Sequence, residues 1–94
     1  MSEIVRFSFP GTTNREGVEA DACLAIFSAE CLHGRPKTRL EVSYLVDATG
    51  SACVFEIAGE AGDVAVQVFL GLCTERFGER AFQVERRTRN ESAR

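Results

Sequence analysis

The sequence predicts an α+β domain, a two-layer ferredoxin-like βαββαβ sandwich in which a four-stranded antiparallel sheet carries two helices on one face. Three observations predict it. Four short segments alternate apolar and polar residues, the period of a strand with one buried face. Two longer segments between them have helical spacing and helix-end signals. Only one face of each strand is apolar, so both helices belong on the same side of the sheet.

The elements follow in order. In residues 3–9, Val5, Phe7 and Phe9 alternate with Arg6 and Ser8, and Pro10-Gly11 ends the strand. Residues 13–16, Thr-Asn-Arg-Glu, fit a capping box, in which a Thr hydroxyl and a Glu carboxylate each satisfy an orphan backbone N–H. A first helix of 18 or so residues follows and stops near Gly34, with Pro36 set against its return. Residues 38–46 alternate Leu40, Val42, Tyr44 and Val46 with Arg39, Glu41 and Ser43. Asp47-Ala-Thr-Gly50 supplies a turn, and residues 51–58 set Cys53, Phe55 and Ile57 against Ala52, Val54 and Glu56, completing a hairpin. Residues 63–77 read as a second helix closed by Gly78, although their β-branched centre also suits a strand. In residues 80–87, Phe82 and Val84 alternate with Gln83 and Glu85 as a last strand. The domain is therefore expected over residues 1–87, with 88–94 as a frayed tail lacking an apolar anchor.

At 94 residues, with 45% apolar and 27% charged side chains, the chain has the balance of a single globular domain. Its thin margin of buried surface makes self-association helpful. No apolar run approaches the ~18 residues that cross a bilayer, and the first residues lack the pattern of a secretory signal. The expectation is a cytoplasmic protein with no membrane partner. Eleven basic residues against fourteen acidic ones give a net charge of −3, the reverse of a nucleic-acid footprint. The charge is uneven, however. Residues 16–30 carry Glu16, Glu19, Asp21 and Glu30 without a Lys or Arg, whereas 33–39 and 86–89 are basic.

Cys23, Cys31, Cys53 and Cys73 do not read as a metal site. Structural zinc favours closely spaced ligand pairs such as CxxC, because one tight turn then aims two thiolates at one ion. Here every pair is widely separated and every Cys has apolar neighbours, so the expectation is four buried thiols and no metal or other cofactor.

The first helix is apolar on two sides. Ala20, Cys23, Leu24, Phe27 and Cys31 form one stripe at 100° per residue. Val18, Ala22, Ala25, Ile26, Ala29 and Leu32 form another on roughly the opposite side. A helix lying on one sheet needs a single apolar stripe, so the second requires either the other helix or a partner subunit. Interface contacts are expected at Ile26, Ala29 and Leu32, or at Leu45 and Val54. The latter two, with Ala52 and Ile4, make a mild apolar patch on the face of the sheet away from the helices. If Val46 pairs with Ser51, Glu41 lies opposite Glu56 on that face, a like-charge contact that Arg6, Arg39 or Arg87 would relieve.

No catalytic constellation accompanies His33, the single histidine, and no phosphate-loop, dinucleotide or zinc-protease motif occurs, so no enzymatic activity is expected. Gly11, Thr12, Thr13 and Arg15, ahead of the first helix, are the candidate contact for a small anion, since backbone N–H groups at a helix start favour negative charge. RNA-recognition modules of this layout stack bases on aromatics of the third strand. Ala52, Val54 and Glu56 stand at those positions, so nucleic acid is not expected as a partner. Phe9-Pro10-Gly11 is similar to the Pro-Gly that follows the first strand of ACT-type amino-acid-sensing domains, but the following Thr-Thr-Asn-Arg departs from their apolar continuation.

The functional expectation is a small cofactor-free interaction module, an adaptor, accessory subunit or inhibitor of another protein, that self-associates as a homodimer. The alternative is a regulatory domain that senses a small anionic metabolite at the loop before the first helix.

Overall fold

The computed structural model describes residues 2–9 and 15–89. In chain order these form β1 (Ser2–Ser8), α1 (Arg15–His33), α2 (Arg35–Glu41), β2 (Val42–Val46), β3 (Ala52–Ile57), α3 (Gly59–Phe77) and β4 (Gln83–Arg89). The fold is α+β, with an open four-stranded antiparallel sheet in the order β2-β3-β1-β4. β1 sits at the centre because its inward residues, Val5 and Phe7, are among the most apolar in the chain and are completely buried. β2 and β4 are the edges.

The described residues contain three helices where two were expected. Residues 35–41 are helical, and β2 begins only at Val42. Pro36 does not block this helix because it stands in its first turn, where a missing N–H removes no intrahelical bond. Gly34, at φ 89°, breaks α1 and redirects the chain. Thr38 anchors the new turn, with its hydroxyl donating to the Gly34 carbonyl at 2.9 Å and its own carbonyl receiving the Val42 N–H. Leu40 consequently leaves the core face assigned to it by alternation and is 87% exposed.

α3 spans the whole of the ambiguous stretch and starts four residues earlier than expected. Its first turn has no side-chain cap of its own. Glu41, at the end of α2, supplies one from across the fold, its Oε1 accepting the Ala61 N–H at 3.0 Å. A carboxylate at a helix N-terminus is also favoured by the helix dipole. Gly59 makes the approach possible: it lies at φ 69°, and a Cβ there would come within 2.6 Å of the Glu41 carboxylate.

The core lies between one face of the sheet and helices α1 and α3. Three rings form its centre, Phe7 packing edge-on against Phe69 at 4.7 Å between centroids and Phe55 lying 5.0 Å from Phe69. α1 meets α3 through small residues, with Ala22, Ala25 and Ala29 of α1 and Ala61 and Ala65 of α3 all completely buried. β4 continues through Thr88 and Arg89, which pair with Glu3 and Ser2 and so belong to the sheet rather than to a tail. Val84, expected on the buried face, is 40% exposed. Next to it Arg86 occupies the position opposite Val5 and reaches Glu3 at 2.6 and 3.1 Å, holding that carboxyl below its usual pKa.

Candidate functional site

The expected interface residues of α1 fall on different surfaces. Ala29 is completely buried and Ile26 packs against the core, while Leu32 near the helix end is exposed. The stripe that faces α3 and the sheet is Val18, Ala22, Ala25 and Ala29. The opposite stripe, Ala20, Cys23, Leu24, Phe27 and Cys31, is exposed along its length, with Leu24 at 48% and Phe27 at 59%.

Two polar contacts fix how α1 is rotated. On the α3 side, Asp21 is 4% exposed and receives two hydrogen bonds from Arg76, Nε to Oδ2 at 2.8 Å and Nη2 to Oδ1 at 2.9 Å. This carboxylate keeps the Arg76 guanidinium above its ordinary pKa. On the sheet side, Cys23 Sγ lies 3.3 Å from Tyr44 Oη. That contact, followed by burial, pushes the Tyr44 phenol up to about 12. The residues between these contacts on the far side of the helix, Leu24, Phe27 and Cys31, face neither α3 nor the sheet.

The cysteines accordingly divide two and two. Cys53 and Cys73 are buried, and burial pushes each thiol up to about 12. Cys23 and Cys31 are exposed, contrary to the expectation of four buried thiols, because the stripe that carries them is the outward one. Among the described residues no three His, Cys, Asp or Glu side chains converge on a common point.

On the open face of the sheet, Leu45 pairs with Val54. Leu45 is 71% exposed, Val54 half-buried and Ala52 buried. Beside them Ile4, Arg6, Val54, Glu85 and Arg87 line a hollow of about 210 Å³, smaller than the ~300–1,000 Å³ of a typical small-molecule pocket. The expected opposition of Glu41 and Glu56 does not occur. Val46 pairs with Cys53 rather than Ser51, which sets Ser43 opposite Glu56 and leaves Glu41 outside the strand, as the cap of α3. The longer turn is held by Asp47, whose carboxylate accepts from the backbone N–H and hydroxyl groups of both Thr49 and Ser51. These bonds, led by the Thr49 hydroxyl, lower its pKa.

Of the candidate anion contacts, Gly11, Thr12 and Thr13 lie outside the described residues, as does the start of the expected capping box. Arg15 is described. Its Nε donates to the Asp47 carbonyl at 3.2 Å and its Nη1 lies 3.8 Å from Glu19, so it ties the start of α1 to the β2–β3 turn. Gly50 permits that contact, since a Cβ there would come within 2.8 Å of the Arg15 backbone.

Sequence reasoning detected both stripes of α1 but not which of them faces inward. The available signal was size. The small stripe lets α1 approach the small residues of α3 closely, whereas Leu24 and Phe27 would hold the helices apart. No helix of the described chain is long and apolar enough to cross a membrane. No protein-family model matches the chain, and no curated protein matches it.

Proposed function

We propose that the chain is a small, cofactor-free interaction module of ferredoxin-like layout that works in the cytoplasm by associating with itself. The observation that supports this reading is the outward face of α1, where Leu24 and Phe27 stand exposed in one row with Ala20, Cys23 and Cys31. Isolated exposed apolar residues are ordinary, but a continuous apolar stripe on a regular element marks a surface used for association. The strand order β2-β3-β1-β4, with α1 and α3 sharing one core against the sheet, is what the ferredoxin-like assignment rests on. α2 is then an insertion between α1 and β2. The test is the solution mass by light scattering on a size-exclusion column, with and without reductant. A dimer in both conditions is expected. A monomer at every concentration overturns the reading.

A further inference from the structure

We infer that the occupant of the outward face of α1 is α1 of a second copy of this chain, packed antiparallel about a two-fold axis between Leu24 and Phe27. The inference rests on the self-association reading above and names the surface that performs it. Ala20, Leu24, Phe27 and Cys31 are spaced four, three and four residues apart, the seam spacing by which two helices interlock their side chains. Two of these residues are large and two small, in the order small, large, large, small. An antiparallel pair centred between the large ones sets Leu24 against the partner's Phe27 and Ala20 against the partner's Cys31. The stripe is thus its own complement, as a two-fold interface requires.

Charge selects the same direction. The first turns of α1 are net acidic, with Glu16 and Glu19 against Arg15, which pairs with Glu19. The segment beyond its last turn is net basic, with Arg35, Arg39 and Lys37, the last paired with Glu60. Antiparallel packing brings each acidic end to the partner's basic end, and parallel packing would bring like charges together. Glu16 is exposed, and Arg35 is 69% exposed even with its Nε 3.9 Å from Glu30. The seam from Ala20 to Cys31 is ~17 Å long at helical rise. A seam of that length makes an interface smaller than the usual specific ones, so the dimer is reversible and dissociates on dilution.

The edges of the sheet do not compete equally. β4 is a charged edge, carrying Glu85, Arg86 and Arg87, a feature that disfavours edge-to-edge pairing. β2 lacks charge but is only five residues long.

The experiment compares solution mass between roughly 5 and 500 µM for the native chain, Phe27→Glu, Leu24→Glu and Leu45→Glu, with circular dichroism confirming the fold of each. The expected result is a native dimer that Phe27→Glu and Leu24→Glu each reduce to monomer while Leu45→Glu leaves it intact. A native chain that stays monomeric defeats the self-association reading and this inference with it. A native dimer that survives both α1 variants but yields to Leu45→Glu keeps that reading and overturns the α1 surface. Direction is tested by reversing charge. Glu16→Arg should weaken the dimer about threefold to tenfold, and adding Arg35→Glu should restore it. If the double variant is as weak as the single one, the antiparallel arrangement is wrong.

Discussion

The carboxylate of Asp21 and the guanidinium of Arg76 face each other through two hydrogen bonds of 2.8 and 2.9 Å, one partner buried on α1 and the other half exposed on α3. The two partners are therefore unequal. Losing Arg76 strands a desolvated carboxylate, whereas losing Asp21 leaves an arginine that can extend into water. Arg76→Ala should destabilise the fold, though less than breaking a fully buried pair would, because water already screens the guanidinium. Asp21→Ala should cost less than Arg76→Ala. Urea unfolding of the two variants checks the order, and a larger loss for Asp21→Ala would contradict it.

Glu41 and Gly59 form a second linked pair. Glu41→Ala removes the cap on Ala61 and should cost about 1 kcal/mol. Gly59→Ala should cost more, because it strains a residue at φ 69° and drives a methyl group into the carboxylate. The double variant should lose less than the two single losses added together, since removing the carboxylate also removes the collision. Strict additivity in a double-mutant cycle would show that the contact is not felt.

The thiols give a direct chemical test. In dilute solution the exposed Cys23 and Cys31 should react quickly with a colorimetric thiol reagent, and Cys53 and Cys73 only as fast as the chain unfolds. The measurement is the number of fast and slow equivalents. Four fast equivalents would mean that the core is open.

Alkaline pH should weaken the fold in a defined window. Folding raises the pKa of Cys53 and Cys73 from an ordinary 9.0 to about 12, so the folded chain holds those protons more tightly. Their contribution is fully present below pH 9.0 and is lost as pH rises toward 12. The slope is about 1.4 kcal/mol per pH unit for each thiol inside that window. Cys53→Ala should be less stable at neutral pH yet show a shallower alkaline decline, readable from urea midpoints between these limits.

Tyr44 is the single tyrosine, so its phenolate absorbance can be titrated without interference. Phenolate formation should be held well above 10.0 while the chain is native and move down toward 10.0 in Cys23→Ala, because the Cys23 contact is the largest cause of the shift. An unchanged midpoint would separate Tyr44 from α1.

Much of this architecture was legible from period alone. Val5, Phe7, Phe55 and Ile57 are buried as alternation requires, and the doubly apolar character of α1 is plain in its spacing. What alternation could not show was where a strand starts. Leu40 and Val42 keep the same spacing whether residue 40 is extended or helical, and Pro36 is compatible with either the end of one helix or the beginning of the next. The β2–β3 register depended on an Asp47 turn longer than the expected one, and that shift separated Glu41 from Glu56. On α1, hydrophobicity was equal on both sides, so only the fit of small residues against α3 could decide which faced inward.

The central place of β1 has a consequence for the birth of the molecule. Both of its neighbours come later in the chain, and the Glu3–Arg86 contact joins residues 83 positions apart. During synthesis one edge of β1 stays unpaired until β4 has left the ribosome and the sheet can close on both sides. Long-range closure of this kind is slow relative to local helix formation. Until then Phe7 has helices available to pack against but lacks one of its flanking strands, and the nascent chain spends that interval with its stickiest segment only half covered.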